Sequence, residues 1–548
     1  GAQITHDTMQ GAHRIMITIS DDRLSRDASE WRNTTIAAEA FRKAQSQPDD
    51  IAIYLESEPD ATYGAIAEEA LRLIAALHDL GLRQGDVISF QLPNWREGAV
   101  IDIAAAALGL VVNPIVPIYR DAELRFILGD AASKLIFIPD QHRSIDYVNM
   151  ISGLRAELPS LEHVVTLRST TEYPGTVHYE SLIDCDPADP AELPSIDPNS
   201  VKCRLYTSGT TGFPKAVLHS HNTLIRILDN SSEHSGTNAS DVMIMASPIT
   251  HITGYSSGLN LPFIRDGRSA LMERWDADQC IDFIHRVGGT MTVGATPFLQ
   301  ELLDAAERRG DSLPTMRIFS CGGAAVPPAL VLRAYDVLEN CRTVRVYGST
   351  EAPIITLGWL DDAQLAATTD GHPYGYEVRI VDDNGEVVPD GEDGEITARG
   401  SGMFLGYADP DQNTEAHADD GFFYTGDIGR RTADGAILIT DRKKDIIIRG
   451  GENISAKEIE DSLHLHPDVK EAAVVAMPHE RLGEGVCVFI ILQSGSDTLS
   501  QASIAAFTES HVLARQKIPE RVEVVEDLPR TPSGKVRKDR LRKQLLEG

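Results

Sequence analysis

Hydrophobic and polar positions repeat along the chain with two different periods. The segment YGAIAEEALRLIAALHDL places apolar residues three and four positions apart, which predicts an amphipathic helix. From about Trp31 to Val201, such segments alternate with short runs rich in β-branched and aromatic residues, for example DVISFQL and KLIFIPD. Because parallel strands need long crossover connections, this alternation predicts an α/β fold with parallel sheets.

The same alternation returns after residue 240, where VMIMAS, TMTVGATP, MRIFSCGG and TVRVYGS predict successive strands. The loops that follow such strands are the usual ligand-binding positions of α/β proteins. The longest apolar region is AVIDIAAAALGLVVNPIVPI, and Asp102, Asn113 and two prolines interrupt it. It therefore predicts a buried helix and a buried strand, and we expect no integral membrane segment.

The pattern changes twice in the second half of the chain. From about Gly375, short strands separated by DG, NG and GG turns predict a small β-rich subdomain. After DRKKDIII, helical and strand patterns alternate again in AKEIEDSLHLH, VKEAAVVAM, GVCVFIIL and ERVEVVEDL. We expect an N-terminal α/β domain of residues 1–440, which includes the β-rich subdomain, and a small mobile α+β domain of residues 441–548.

Composition narrows the possible partners. The chain has 548 residues, which exceeds one ordinary domain, and its 50 Lys and Arg residues stand against 82 Asp and Glu residues, for a net charge of −32. Such acidity repels nucleic acids and anionic membranes. The six cysteines are scattered without metal-ligand spacing, and the N-terminus lacks a signal-peptide pattern. These features predict a cytoplasmic protein that does not bind nucleic acid.

The most informative motif is YTSGTTGFPKAVLHSH, at residues 206–221. A predicted strand enters a run of Ser, Thr and Gly at 208–212, whose hydroxyl and backbone N–H groups can donate to phosphate oxygens, and Lys215 adds a positive charge. Pro214 prevents the helix start that a Walker A loop requires, so the P-loop NTPase class is excluded. A flexible surface turn remains the alternative explanation.

Two further segments carry groups that suit a nucleotide. In RVYGSTEAP, Tyr347 could stack on a purine, Thr350 could bind a phosphate, and Glu351 could bind Mg²⁺. In FFYTGDIG, Asp427 could accept hydrogen bonds from ribose hydroxyls. Taken separately, Glu351 could equally be a solvated charge, and Asp427 could cap its own turn.

The last two segments are basic. DRKKDIIIRGGENIS combines clustered cations with a β-branched strand and a GG turn, and LPRTPSGKVRK presents Lys535 on a Pro- and Gly-containing loop. The alternatives are a charged hairpin edge that discourages aggregation and a solvated tail lysine.

Taken in order, YTSGTTGFPK, YGSTE, YTGD and PSGK resemble the acyl-adenylate-forming superfamily of acyl-CoA synthetases, adenylation domains and firefly luciferase. The resemblance spans about residues 30–545. Within the superfamily, the sequence most resembles bacterial short- and medium-chain or cyclohexanecarboxylate:CoA ligases. It implies an AMP-forming acid:CoA ligase that uses ATP, Mg²⁺ and coenzyme A, with a short- or medium-chain fatty or alicyclic acid as substrate.

The resemblance also implies roles for individual residues. The ATP and AMP site comprises Thr207, Ser208, Gly209, Thr210, Thr211, Gly212, Lys215, Gly323, Ala324, Tyr347, Gly348, Ser349, Thr350, Asp427 and Arg442. The catalytic residues are Lys535, Thr350, Glu351 and His251, with Glu351 as the metal ligand. Asp441 is the hinge, Arg449, Gly450 and Gly451 form the CoA face, and His251, Ile252, Tyr255, Thr296 and Ile354 line the acyl pocket.

Two other functions stay open from the sequence: an acyl-AMP ligase that loads a carrier-protein phosphopantetheine, and a catalytically inactive nucleotide-binding protein. The segment SPITHITGY has no Asp that could hold a substrate amine, which favours an amine-free acid. The expected partners are the carboxylic acid, ATP and CoA. A homodimer, and a protein acetyltransferase that acts on Lys535, are further expectations.

Overall fold

The computed structural model describes residues 2–7, 14–207, 214–323, 326–449, 452–496, 499–510, 517–531 and 534–547. It confirms the predicted α/β class. The α-helices are Asp21–Asp27, Ile36–Ser46, Tyr63–Asp79, Glu97–Leu108, Asp121–Asp130, Tyr147–Leu154, Tyr179–Leu182, His221–Ser235, Leu261–Ile264, Ala277–Val287, Thr296–Arg309, Pro328–Val337, Ala363–Thr368, Asp411–Ala416, Ala456–Leu463, Gln501–Ser510 and Lys538–Glu547.

The first large sheet has eight strands in the described part of the chain. In spatial order they are Val177–His178, His163–Leu167, Leu135–Pro139, Val87–Phe90, Val111–Pro114, Val201–Thr207, Lys215–Ser220 and Gly406–Tyr407. Pairing is parallel as far as Val201–Thr207 and antiparallel beyond it. The Ser- and Gly-rich motif therefore connects two neighbouring antiparallel strands at one end of this sheet.

The second large sheet has nine strands among the described residues. In spatial order they are His372–Pro373, Thr356–Leu357, Arg342–Tyr347, Ile318–Gly322, Met291–Gly294, Val242–Met245, Arg268–Leu271, Ile51–Leu55 and Ala61–Thr62. The middle strands are parallel, as predicted. The segments YGSTE and CGGAAVP follow two adjacent parallel strands, so the sheet brings their first residues together at one edge.

The region between the two large sheets is the main apolar core. Helix Glu97–Leu108 is buried along its whole length and ends at Gly109, whose left-handed φ of 67° closes the helix. Helix Tyr63–Asp79 packs against it and is capped by Thr62, whose side chain accepts a hydrogen bond from the Ala65 N–H. Within the described residues, no helix combines the length and the apolarity needed to cross a membrane.

Two smaller sheets complete the described strands of the C-terminal half. The β-rich subdomain is an antiparallel sheet of Tyr376–Val381, Gly394–Gly400, Phe423–Arg431 and Ile437–Arg442. The last sheet contains Glu452–Ile454, Ile447–Arg449, Gly483–Leu492, Val469–His479 and Arg521–Val524. The predicted boundary at 440/441 thus falls two residues before the end of the last strand of the β-rich sheet. The short pairs Ala2–Asp7 with Arg14–Ile19 and Gln141–His142 with Ile145–Asp146 lie outside these sheets.

Candidate active site

Lys535 lies in a tight turn that reaches the edge of the nine-stranded sheet. The Thr531 N–H donates to the Lys535 carbonyl at 2.7 Å, and the Lys535 N–H donates to Thr531 Oγ1 at 3.1 Å. A Cβ built on Gly323, which has a left-handed φ of 82°, would lie 3.9 Å from Lys535 Cε. The fold therefore brings the predicted catalytic lysine to a predicted nucleotide-site glycine more than 200 residues away in the sequence.

The electrostatic surroundings of Lys535 are mixed. Burial and the neighbouring Arg442 cation lower the pKa of Lys535 from its usual 10.5 to about 8, while Asp427 and Glu351 oppose this shift. An ammonium with this pKa is largely protonated at neutral pH and loses its proton within the mildly alkaline range. Such a group can neutralise a phosphate charge in the pH range of most cytoplasmic enzymes.

Asp427 is held by groups from two sheets. The register of the β-rich sheet places Asp427 opposite Arg442, with Arg442 Nε 3.6 Å from Asp427 Oδ1. The Tyr347 hydroxyl donates to Asp427 Oδ2 at 2.7 Å, and burial raises the pKa of Tyr347 well above its usual value, so this hydroxyl stays protonated. Tyr347 is only 8% exposed, so little of its ring is accessible for stacking. The carboxylate of Asp427 is thereby held in place from two sides.

Glu351 and Thr350 contact two neighbouring antiparallel strands, Gly406–Tyr407 and Lys215–Ser220, and the second of these follows the Ser- and Gly-rich motif. The Tyr407 hydroxyl donates to Glu351 Oε1 at 2.8 Å, and Lys215 Nζ lies 4.9 Å from the centre of the Tyr407 ring. His219 Nε2 donates to the Thr350 carbonyl at 2.7 Å. Burial lowers the pKa of His219 to about 4, so the imidazole is neutral and acts as a structural donor.

Tyr407 and His219 are absent from the sequence prediction. His219 has a local signal, because it follows Lys215 by four residues in the same strand and lies within the motif YTSGTTGFPKAVLHSH. Tyr407 has none, because 56 residues separate it from Glu351 and only strand pairing with Val217 brings it to the site.

The turn after Tyr347 is unusually tight. The Ser349 N–H donates to the Ala352 carbonyl at 3.0 Å, and a Cβ on Gly348 would lie 2.3 Å from the Ile354 nitrogen, so only glycine fits there. Ile354 itself has a left-handed φ of 55°, which is strained for a β-branched residue. Strain of this kind concentrates at binding sites, and it fixes the partly buried Ile354 side chain against the main core.

His251 lies in the turn that begins a helical segment. Its N–H donates to the Pro248 carbonyl at 3.0 Å, and its carbonyl accepts from the Tyr255 N–H at 2.8 Å. Burial, with a smaller contribution from Lys535, lowers the pKa of His251 to about 4. The imidazole is therefore neutral at physiological pH and close enough to Lys535 to be affected by its charge.

Tyr255, which the sequence places in the acyl pocket, has polar partners in the core. It is fully buried, and its hydroxyl donates to Asp102 at 2.5 Å and accepts from Lys202 at 2.9 Å. An aromatic residue next to a substrate motif gives no signal of such a buried ionic partner. Ile252 is buried, whereas Thr296 is partly exposed at the start of helix Thr296–Arg309.

The remaining predicted residues lie near the C-terminal junction or outside the described part of the chain. Asp441 is 5% exposed, and its carboxylate accepts from the Ala456 N–H, which fixes the start of helix Ala456–Leu463. Burial raises the pKa of Asp441 to about 6. Arg449 pairs with Glu520. Ser208, Gly209, Thr210, Thr211, Gly212, Ala324, Gly450 and Gly451 lie outside the described residues.

The donor set suits Mg²⁺ only in combination with a nucleotide. Among the described residues, no cluster of three or more His, Cys, Asp or Glu side chains could hold a metal. Glu351 would provide one carboxylate, and the remaining ligands would be phosphate oxygens and water, as Mg²⁺ prefers. The residues present therefore fit a metal that arrives with a polyphosphate.

Comparison with known proteins identifies the family of the chain. The AMP-binding enzyme family matches residues 40–408, and the AMP-binding enzyme C-terminal domain matches residues 458–535. The chain therefore belongs to the AMP-binding enzyme family. The matches confirm the predicted class of enzyme, an ATP-dependent acyl-CoA synthetase with the fold of adenylate-forming enzymes.

Individual relatives differ in the acid that their names specify. The chain is 34% identical over 538 residues to a medium-chain fatty-acid–CoA ligase of Escherichia coli (strain K12), covering 97% of this chain and 94% of that protein. It is 32% identical over 491 residues to a 2,3-dihydroxybenzoate-AMP ligase of Bacillus subtilis (strain 168), covering 89% of each. ATP-bound MatB from Rhodopseudomonas palustris has a TM-score of 0.83 at 27% identity, covering 93% of this chain and 99% of that one.

Proposed function

We propose that the protein converts a short- or medium-chain fatty acid, or an alicyclic acid, to its acyl-AMP and then to its CoA thioester. The observation that supports this most directly is the position of Lys535 beside Gly323, within electrostatic reach of Asp427 and Glu351. A cation at this point can act on a phosphate whose nucleoside is held by Asp427.

In the first step, a carboxylate oxygen of the acid attacks the α-phosphorus of ATP, and the bond to pyrophosphate breaks. Both reactants are anions, so the transition state needs positive charge and hydrogen-bond donors. We assign Lys535 and the Thr350 hydroxyl to the α-phosphate, and Lys215 with the 208–213 loop to the β- and γ-phosphates. Asp427 would accept from the ribose hydroxyls, with Arg442 beside it.

Glu351 would hold Mg²⁺ against the phosphates. The metal, when bound, supplies positive charge to phosphate oxygens. The Tyr407 hydroxyl orients the Glu351 carboxylate by donating to one of its oxygens, which leaves the other oxygen for the metal.

In the second step, the CoA sulfur attacks the acyl carbon, and AMP leaves with the electrons of the broken acyl–oxygen bond. We assign Arg449, Gly450 and Gly451 to the thiol side. We also propose that the C-terminal domain 441–548 rotates about Asp441 between the steps. Such a rotation would change the backbone at Asp441, whose carboxylate now accepts from the Ala456 N–H.

The part of the site that would hold the acyl group of the acid would be uncharged. His251 is neutral at physiological pH, and Ile252 and Ile354 are apolar. The segment 247–254 contains no Asp or Glu that could pair with a substrate ammonium group. These features favour an amine-free acid, and the 34% identical relative is named for medium-chain fatty acids.

The test is pyrophosphate release with ATP and Mg²⁺ against a panel of straight-chain, alicyclic and aromatic acids, with and without CoA. We expect acid-dependent pyrophosphate with C4–C10 or alicyclic acids, and acyl-CoA formation when CoA is added. Acyl-AMP formation without acyl-CoA would indicate a carrier-protein acceptor instead. Release with aromatic hydroxy acids alone would overturn the proposed substrate class.

The pH dependence of adenylation should follow the titration of Lys535. Only the protonated amine neutralises the phosphate, and its pKa is lowered to about 8. We therefore expect kcat/KM for pyrophosphate release to be constant below this pKa and to fall about tenfold per pH unit above it, because kcat/KM reports groups of the free enzyme. A pH–rate series measures this.

Lys535→Arg provides the control for the pH series, because arginine stays protonated throughout the accessible range. Its residual activity should lack the alkaline decline. An identical decline in Lys535→Arg would assign the titration to another group.

We also propose two protein partners, an acetyltransferase that modifies Lys535 and a second copy of this chain. A protein acetyltransferase acting on Lys535 would remove its charge and stop adenylation, and it would need the Lys535 loop to leave Gly323 because Lys535 is partly buried there. With a second copy, the chain would form a homodimer.

Mass spectrometry of the intact purified protein tests for the homodimer, and mass spectrometry of its digested peptides tests for acetylation of Lys535.

A further inference from the structure

Three polar side chains meet in the apolar core between the two large sheets. Lys202 Nζ lies 2.6 Å from Asp102 Oδ1 and 2.9 Å from the Tyr255 hydroxyl, which itself donates to Asp102 Oδ1 at 2.5 Å. Lys202 and Tyr255 are 0% exposed and Asp102 is 2% exposed. We refer to these three residues as the buried network. None of the steps assigned above uses it.

A β-bulge directs Lys202 into this core. Val201 pairs with Ser220 and Cys203 pairs with His219, so Lys202 is the additional residue on its strand. In a regular strand, Lys202 and Arg204 would point to the same face, because side chains alternate. Here they do not.

The ion-pair partners of Lys202 and Arg204 show that these two side chains lie on different faces of the sheet. Lys202 contacts Asp102 of helix Glu97–Leu108, whereas Arg204 pairs with Asp130 of helix Asp121–Asp130. These helices belong to different core clusters, on opposite faces of the eight-stranded sheet. The bulge thus places one charge where a regular strand would place an apolar residue.

Tyr255, the third residue of the buried network, also lies in an irregular element. Tyr255 belongs to the π-helix Gly254–Asn260, a wide form of helix that is rare and concentrates at functional sites. The Tyr255 N–H donates to the His251 carbonyl at 2.8 Å, and Ser256 Oγ donates to the Ile252 carbonyl at 2.7 Å. Any displacement of this helix would therefore move His251 and Ile252.

Stability alone does not explain the network. Removing two charges from water costs several kcal/mol per ion in proteins, and apolar replacements of buried ion pairs are often neutral or stabilising. A buried ion pair can instead select one geometry, because charges removed from water must stay within hydrogen-bond distance of their partners. Lys202 lies on the strand that leads into the 208–213 loop, so the network connects the phosphate side of the site with the π-helix.

We propose that the buried network of Lys202, Asp102 and Tyr255 positions the π-helix Gly254–Asn260 relative to the phosphate-binding strand and thereby sets the fit of the acid. The three are positioning residues that act through His251 and Ile252. The inference rests on the proposed function for its kinetic consequence. Its structural part, the fixing of the π-helix, does not depend on that function.

Tyr255→Phe tests this inference with the ion pair left intact. The substitution removes only the hydroxyl that links the π-helix to Asp102 and Lys202. We expect the KM for the acid to rise about tenfold, which corresponds to the loss of one hydrogen bond to a charged group. The KM for ATP should change less than about twofold, and the preference among chain lengths should broaden.

The triple variant Asp102→Leu, Lys202→Met and Tyr255→Phe replaces the whole network by apolar side chains. We expect its melting temperature to equal or exceed that of the wild type, while the KM for the acid rises as in Tyr255→Phe. Arg204→Met is the matched control, because it removes a buried cation from the same strand on the opposite face. It should leave the KM for the acid unchanged.

Hydrogen–deuterium exchange of peptides covering residues 251–260 provides a readout without any substrate. Faster exchange in Tyr255→Phe, with wild-type exchange in Arg204→Met, is the expected result. Wild-type exchange and a wild-type KM for the acid in Tyr255→Phe would overturn the inference. If the wild-type enzyme forms no acyl-AMP from any acid, the proposed function fails, and the exchange data still decide whether the network positions the π-helix.

Discussion

Lys535→Ala should lower the rate of acid-dependent pyrophosphate release by about 10²–10³-fold, the range found when one preorganised charge-stabilising group is removed from an active site. The reason is the repulsion between the carboxylate and the polyphosphate, which Lys535 would reduce from its position beside Gly323. A coupled assay of pyrophosphate measures the first step. Thioester formation from chemically supplied acyl-AMP measures the second and should change by less than about fivefold, because no α-phosphate charge develops there.

The matched control is Lys543→Ala, which removes a 75% exposed lysine from the following helix. It should leave both steps unchanged, since an exposed charge contributes little. Wild-type pyrophosphate release in Lys535→Ala, or equal loss of both steps, would contradict the assignment of Lys535 to adenylation.

Glu351→Gln should lower the rate of pyrophosphate release by about 100-fold and shift its Mg²⁺ dependence to higher concentrations. The substitution keeps the shape of the side chain and an oxygen that can accept from Tyr407, but it removes the charge that attracts the metal. Titration of the rate with Mg²⁺ at fixed ATP measures both effects.

Two further variants distinguish a role of Glu351 in binding the metal from an effect on local packing. Tyr407→Phe removes the hydrogen bond to Glu351 without removing the charge, and it should cost about tenfold, as expected for one hydrogen bond to a charged group. Glu377→Gln alters an exposed glutamate of the β-rich sheet and should have no effect. A Glu351→Gln enzyme with unchanged Mg²⁺ dependence would show that the carboxylate does not hold the metal.

Much of the fold could be predicted because its signals are local. The helix predicted in YGAIAEEALRLIAALHDL is Tyr63–Asp79, and the apolar stretch around Asp102 is the buried helix Glu97–Leu108 followed by the strand Val111–Pro114. Each of these elements follows from the pattern of apolar residues within its own segment. The strands after residue 240 also lie where the sequence predicts them.

The geometry among the site residues could not be predicted in this way. Asp427 meets Tyr347 across 80 residues, and Tyr407 meets Glu351 across 56. These contacts depend on strand register and on which sheets pack together, and neither is encoded in a local period. The hydrogen bond from the Tyr255 hydroxyl to Asp102, across 153 residues, is absent from the sequence prediction for the same reason.

The sequence by itself determined the class of enzyme, the order of its elements and the residue types available for phosphate, ribose and metal. The tertiary structure alone decided that a bulge turns Lys202 inward, that a π-helix presents Tyr255 to Asp102, and that the Lys535 turn reaches Gly323. The physical reason is that short-range patterns fix local conformation, whereas buried charges and catalytic contacts depend on side chains brought together from distant parts of the chain.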